Sequence, residues 1–132
     1  MSKITAFEII LYCKDQEKSK EFYSKVLAKE PTLHVPGMTE FLLAENLKLG
    51  LMPENGIAKI LGDKTPHPFS GNGIPRCELY LVVDEIENIF QRAVEAGAKI
   101  ISEIAPRDWG DNVGYLMDID GHIIAVAQTI IK

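Results

Sequence analysis

The sequence predicts an α+β fold made of two βαβββ modules, whose curved strands form a cupped, partly closed mixed sheet. Three observations carry that prediction. Residues Phe7–Lys29 and Cys77–Lys99 are two copies of one unit: an alternating strand, an acidic turn and an amphipathic helix. Each helix is followed by three short strand-like runs. The copies lie about half a chain length apart, which implies duplication, so equivalent positions fall at equivalent places in a pseudo-two-fold fold.

The first strand, Phe7–Tyr12, places Phe7, Ile9 and Leu11 on one face and Glu8, Ile10 and Tyr12 on the other. Asp15 then opens a helix over Glu17–Leu27, with Phe22 and Tyr23 on its apolar face. Lys18, Lys20, Lys25 and Lys29 form its solvated face, paired with Glu17 and Glu21. Thr32–Val35, Glu40–Ala44 and Lys48–Met52 read as strands separated by Pro36-Gly37 and Glu45-Asn46. The modules span about residues 1–53 and 76–132 of a single domain. The linker 54–75 is rich in proline and glycine, with a short helical turn at Ile57–Leu61, and serves as a surface crossover or a ligand lid.

In the second module the strand Cys77–Val83 sets Leu79, Leu81 and Val83 against Glu78, Tyr80 and Val82. Asp84 leads into a helix over Ile86–Ala96, closed by Gly97, where a left-handed cap is wanted. Lys99–Glu103 is a strand and Ala105–Asp111 a loop. Asn112–Asp118 and His122–Thr129 form a hairpin turned by Asp120-Gly121. The four strands of each module are expected to pair antiparallel. Asp118-Ile119-Asp120-Gly121 lacks the spacing and terminal glutamate of a calcium loop and reads as that turn. Cys13 and Cys77 alternate with the glutamates of their strands, so both are expected on the helix side as small hydrophobes without a disulfide.

Composition narrows the functional classes. A net charge of −5 gives no electrostatic attraction to phosphate backbones, which argues against nucleic acid. No apolar run reaches the roughly 18 residues of a membrane span, and the first residues lack the apolar stretch of a signal peptide. The expectation is a soluble, cytoplasmic protein with no membrane partner.

The run Asp15 to Ser19-Lys20-Glu21-Phe22-Tyr23-Ser24-Lys25-Val26-Leu27 resembles a stretch of the vicinal oxygen chelate superfamily. That superfamily holds glyoxalase I, bleomycin-resistance proteins and extradiol dioxygenases; Ala28 stands where its members usually have glycine. Val82-Val83-Asp84, Ala96-Gly97-Ala98, Trp109-Gly110 and Asp118-Ile119-Asp120-Gly121-His122 extend the resemblance in the same order. It covers nearly the whole chain. It implies paired βαβββ modules around a cupped site, often in a homodimer. In metal-dependent members, ligands come from the first and last strand of each module. By position these fall on Glu8 and Glu78, and on Gly50 or Leu51 and Ala125, of which the last three offer no ligating side chain.

The candidate site follows from the faces that carry the glutamates. Glu8 and Glu78 are the candidate catalytic residues. Facing carboxylates either stay ionised and attract a cationic ligand, or repel so that one keeps a proton and works as an acid or base. Ile10, Tyr12, Leu51, Tyr80, Val82, Trp109, Tyr115 and Ala125 are the candidate ligand-binding residues, with Phe41 as a further stacking surface. The favoured function is binding of a small organic molecule with no tightly held metal and no other cofactor. The alternative is a metal-dependent lyase, isomerase or dioxygenase using a divalent ion on Glu8 and Glu78.

Overall fold

The computed structural model describes residues 2–131. Eight strands and three helices follow in the order β1 (Phe7–Cys13), α1 (Gln16–Leu27), β2 (Leu33–Val35), β3 (Met38–Ala44), β4 (Leu47–Pro53), α2 (Glu54–Leu61), β5 (Glu78–Val82), α3 (Ile86–Ala96), β6 (Lys99–Pro106), β7 (Asp111–Met117) and β8 (Ile123–Thr129). They form two four-stranded sheets, ordered β1-β4-β3-β2 and β5-β8-β7-β6, in an α+β fold. The chain divides into two compact units, one made of the residues up to Ser24 and of Ala28–Gly71, the other of Lys25–Leu27 and the residues from Asn72 on. Among the described residues, no helix is long and apolar enough to cross a membrane.

Both sheets are mixed. β1 pairs with β4, and β5 with β8, in parallel; the remaining pairs are antiparallel. The all-antiparallel pairing expected within each module is therefore corrected. A hairpin turn can join only antiparallel neighbours. In each unit the first strand instead skips two others and joins the last, with the helix-containing connection between them, as parallel pairing requires.

Local sequence explains the boundaries. The Asp15 carboxylate accepts a hydrogen bond from the Lys18 amide and caps α1. The first turn of α1 is tied to β2 and β3. The Gln16 amide donates to Thr39 Oγ1 and to the Val35 carbonyl, both at 2.8 Å, and His34 bridges Thr39 and Glu17. Glu17 is thus engaged by a histidine rather than by a helix lysine. In the linker α2 begins at Glu54, three residues before the expected turn, and buries Ile57 while lying against β1 and β4. His67 accepts from the Phe69 amide and donates to Asn55 Oδ1, fixing the 3-10 turn Pro68–Gly71 to α2.

In the second unit the Gln128 side chain accepts from the Ile86 amide and starts α3, which has no cap from Glu85. Asp118 accepts from the amides of Asp120 and His122, which shapes the turn before β8. The buried faces carry Leu11, Phe41, Leu49 and Leu51 in one sheet and Leu79, Leu116, Ile124 and Val126 in the other. Cys13 is buried as expected. Cys77 is exposed, because it lies just outside β5; the two cysteines form no disulfide.

Candidate functional site

Register decides which side chains share the open face of each sheet. In the first sheet Glu8 pairs with Lys48, Ile10 with Gly50 and Tyr12 with Met52, while Glu40 pairs with Gly50 across the other side of β4. Glu8, Ile10, Tyr12, Lys48, Gly50 and Glu40 therefore project to one side. Leu51 pairs with Leu11 and Thr39, points to the opposite face and is fully buried. The wall position expected for Leu51 belongs to Gly50. Phe41, pairing with Leu49, is likewise in the core, so it offers no stacking surface.

Around Glu8 the sheet assembles a group that sequence reasoning missed. Lys48 Nζ lies 3.3 Å from Glu40 Oε1, and the Glu8 carboxyl, set against Gly50, lies close to that of Glu40. Glu8 Oε2 is buried without a hydrogen-bond partner. Burial first, then the hydrogen bond and the charge of Glu40, raise the Glu8 pKa above its ordinary 4.5, against the pull of Lys48. A signal existed: Glu40, Lys48 and Gly50 alternate with core residues in their strands just as Glu8 does.

The open face of the second sheet is built differently. Glu78 pairs with Ile123, Tyr80 with Ala125 and Val82 with Ala127; on the other side of β8, Tyr115 pairs with Ala125 and Val113 with Ala127. Val113, Ala125 and Ala127 form a fully buried floor with Tyr115 packed against it. Trp109, 59% exposed, donates from Nε1 to the Tyr80 hydroxyl at 2.8 Å, and that hydroxyl donates to Asp111 Oδ2 at 2.5 Å. Partial desolvation and then the Asp111 carboxylate hold the Tyr80 hydroxyl above its ordinary 10.0. The Arg107 guanidinium sits 5.2 Å from the Tyr115 ring centroid and donates to the Val113 and Glu103 carbonyls and to Ser102 Oγ. Glu78 and Val82 are exposed on the same face. Asp111 and Arg107 were not foreseen; both come from the loop and strand that flank Trp109.

The donor set can be tested against a metal. Gly50 and Ala125 occupy the last-strand positions where ligands were implied, and neither has a ligating group. A Cβ at Gly50 would collide with Glu8 Oε2 and stand 3.1 Å from Ile10 Cγ1. Among the described residues, no three His, Cys, Asp or Glu side chains are grouped to hold a metal ion. The residues present do not fit a divalent metal centre.

Comparisons with known proteins agree with the architecture. The model of the glyoxalase-like domain matches residues 7–131. An uncharacterized protein of Mycobacterium bovis is 28% identical over 119 residues, 88% of this chain and 78% of that protein. A second, from Mycobacterium tuberculosis, is 28% identical over 88% of this chain and 69% of its own length. A glyoxalase-related enzyme from Fulvimarina pelagi superposes with a TM-score of 0.80 at 21% identity, covering 95% of this chain and 88% of that one. A glyoxalase/bleomycin resistance protein/dioxygenase family enzyme from Burkholderia phytofirmans gives 0.76 at 12% identity, over 98% of this chain and all (100%) of its own. At these identities the structural likeness speaks for the fold alone.

Proposed function

The chain belongs to the glyoxalase-like domain family, and from that premise we propose that it binds a small organic molecule with a planar, partly apolar body on the open face of its second sheet, without a catalytic metal. The observation that carries this reading is the Trp109–Tyr80–Asp111 chain of hydrogen bonds beside the floor of Val113, Ala125 and Ala127. Two aromatic rings are oriented by polar contacts instead of being sunk in the core, beside a floor of small side chains. Ordered aromatic edges around small residues suit a flat ligand, because the rings need little further ordering on binding. The Asp111 carboxylate and the Tyr80 hydroxyl supply the polar groups that orient it. The metal-dependent alternative on Glu8 and Glu78 would need ligands that Gly50 and Ala125 do not carry.

Trp109 is the one tryptophan in the chain, so its fluorescence reports on the site directly. Titration with a panel of small aromatic and heteroaromatic compounds is expected to give a saturable change with at least one of them. Tyr80→Ala and Ala125→Leu, the first removing a wall and the second filling the floor, should each weaken that binding by about tenfold or more, equivalent to about 1.4 kcal/mol. No saturable change with any compound, or binding indifferent to both substitutions, refutes the proposal.

A further inference from the structure

Building on the small-molecule reading above, we infer that the centre of the first sheet's open face is self-filled: the Glu8 carboxyl, laid across Gly50 onto Glu40 and balanced by Lys48, stands where the family resemblance implies a metal and its ligand.

The register makes this arrangement specific. Glu8 lies on β1 and Glu40 on β3, with β4 between them. Their backbones are thus two strand spacings apart, about 9–10 Å. Any side chain at position 50 would stand in that gap, since Gly50 pairs with Ile10 on one side and Glu40 on the other. Glycine leaves the gap open, and the Glu8 side chain occupies it: the collision that a Cβ at Gly50 would suffer is with Glu8 Oε2 itself. The residue that removes a ligand from the last strand is therefore the one that lets Glu8 reach Glu40.

The chemistry of the contact follows. Two carboxyl groups hydrogen-bond to each other only when one carries a proton, because ionised carboxylates are acceptors alone. Burial and the facing Glu40 carboxyl shift Glu8 toward its protonated form, and the Lys48 ammonium lies 3.3 Å from Glu40 Oε1. The proton and the ammonium together supply the neutralisation that a bound cation would supply. Lys48 remains 46% exposed while the Glu40 side chain is 15% exposed, so of the two it is the ammonium that a ligand can reach. A molecule at this centre is met by hydrogen bonds from Lys48 and by the side chain of Ile10, not by chelation.

Two measurements test the inference, and neither uses an organic ligand, so their failure is separable from failure of the fluorescence titration. In the first, the purified chain is loaded with Zn²⁺, Ni²⁺ or Mn²⁺, desalted, and its metal content determined by mass spectrometry. The expected content is far below one equivalent; one equivalent of any ion, lost on Glu8→Gln, overturns the inference. In the second, Gly50→Ala is introduced into the wild-type chain and into Glu8→Ala, and the unfolding midpoints are compared. The alanine methyl should lower the wild-type midpoint by several degrees and the Glu8→Ala midpoint by less than half as much. Equal effects in the two backgrounds, including none in either, overturn it. Should Gly50→Ala fail to fold, the metal content of the wild-type chain decides.

Discussion

The two open faces share topology and register but not chemistry, and the difference turns on three paired positions. Glu8 and Glu78 occupy the same place in their strands. Glu8 stands opposite Lys48 and reaches past Gly50 to Glu40. Glu78 stands opposite Ile123, with Ala125 in place of Gly50 and Tyr115 in place of Glu40. One glutamate is consequently drawn into a hydrogen-bonded, charge-balanced group, and the other is left exposed beside an aromatic wall. A duplicated residue keeps its position but not its role, because the neighbours two strands away set its protonation and its reach.

The sharpest test of the comparison is to add one methyl group at a glycine in each sheet. A Cβ at Gly114, on the buried face of the second sheet, would overlap the Phe90 ring and approach Ile104 Cγ1 to 2.8 Å. Both neighbours are held by packing, so Gly114→Ala should cost about 1–3 kcal/mol as an overpacked core. For a chain of this size that lowers the midpoint by roughly 3–5 °C per kcal/mol, measurable by calorimetry. At Gly50 the obstacle is the far end of a glutamate side chain, which can swing away. Gly50→Ala should therefore cost less than Gly114→Ala, and the reverse order would break the comparison.

The helix ends offer a second matched pair. α3 closes on Gly97 at φ 112°, and α1 closes on Ala28 at φ 53°. An L side chain in the left-handed region costs about 1–2 kcal/mol. Gly97→Ala should destabilise the chain by about that amount. Ala28→Gly should stabilise it by about 0.5–1 kcal/mol, since the relieved strain exceeds the roughly 0.4–1 kcal/mol of extra backbone freedom that glycine brings to the unfolded chain. Denaturant midpoints of the two single variants settle both signs.

Much of the fold was legible because strand alternation and helix caps are local. The α3 span came out to the residue, and α1 started one residue early at Gln16. Parallel pairing of β1 with β4 was not legible, since it depends on contacts between segments about forty residues apart rather than on turn chemistry. For the same reason the choice between Gly50 and Leu51 stayed open. β4 is apolar on both faces at that point, and only its register with Leu11 sends Leu51 inward. Phe41 misled because an aromatic side chain reads alike whether it stacks on a ligand or fills a core. Glu40 and Lys48 were not singled out, since their relation to Glu8 exists only through the β1–β4–β3 register.

The smallest expected effect is a change in pH dependence, and it separates the two glutamates most directly. Burial and Glu40 raise the Glu8 pKa in the folded chain above 4.5, so the native state binds this proton more tightly than the unfolded state does. Where the native state holds more protons, stability falls as pH rises. The Glu8 contribution is therefore fully present below about pH 4.5 and is lost as pH climbs through the raised folded value. Glutamine at position 8 has nothing to ionise and keeps a hydrogen-bonding group toward Glu40. The difference in unfolding midpoint, Glu8→Gln minus wild type, should thus grow from pH 4 to pH 7 in favour of the variant. The same substitution at Glu78, which stands opposite Ile123 and lies exposed, should leave the wild-type decline in place. A decline abolished by Glu78→Gln and untouched by Glu8→Gln would show that Glu40 does not hold a proton on Glu8, and the contrast between the two sheets would have to be drawn elsewhere.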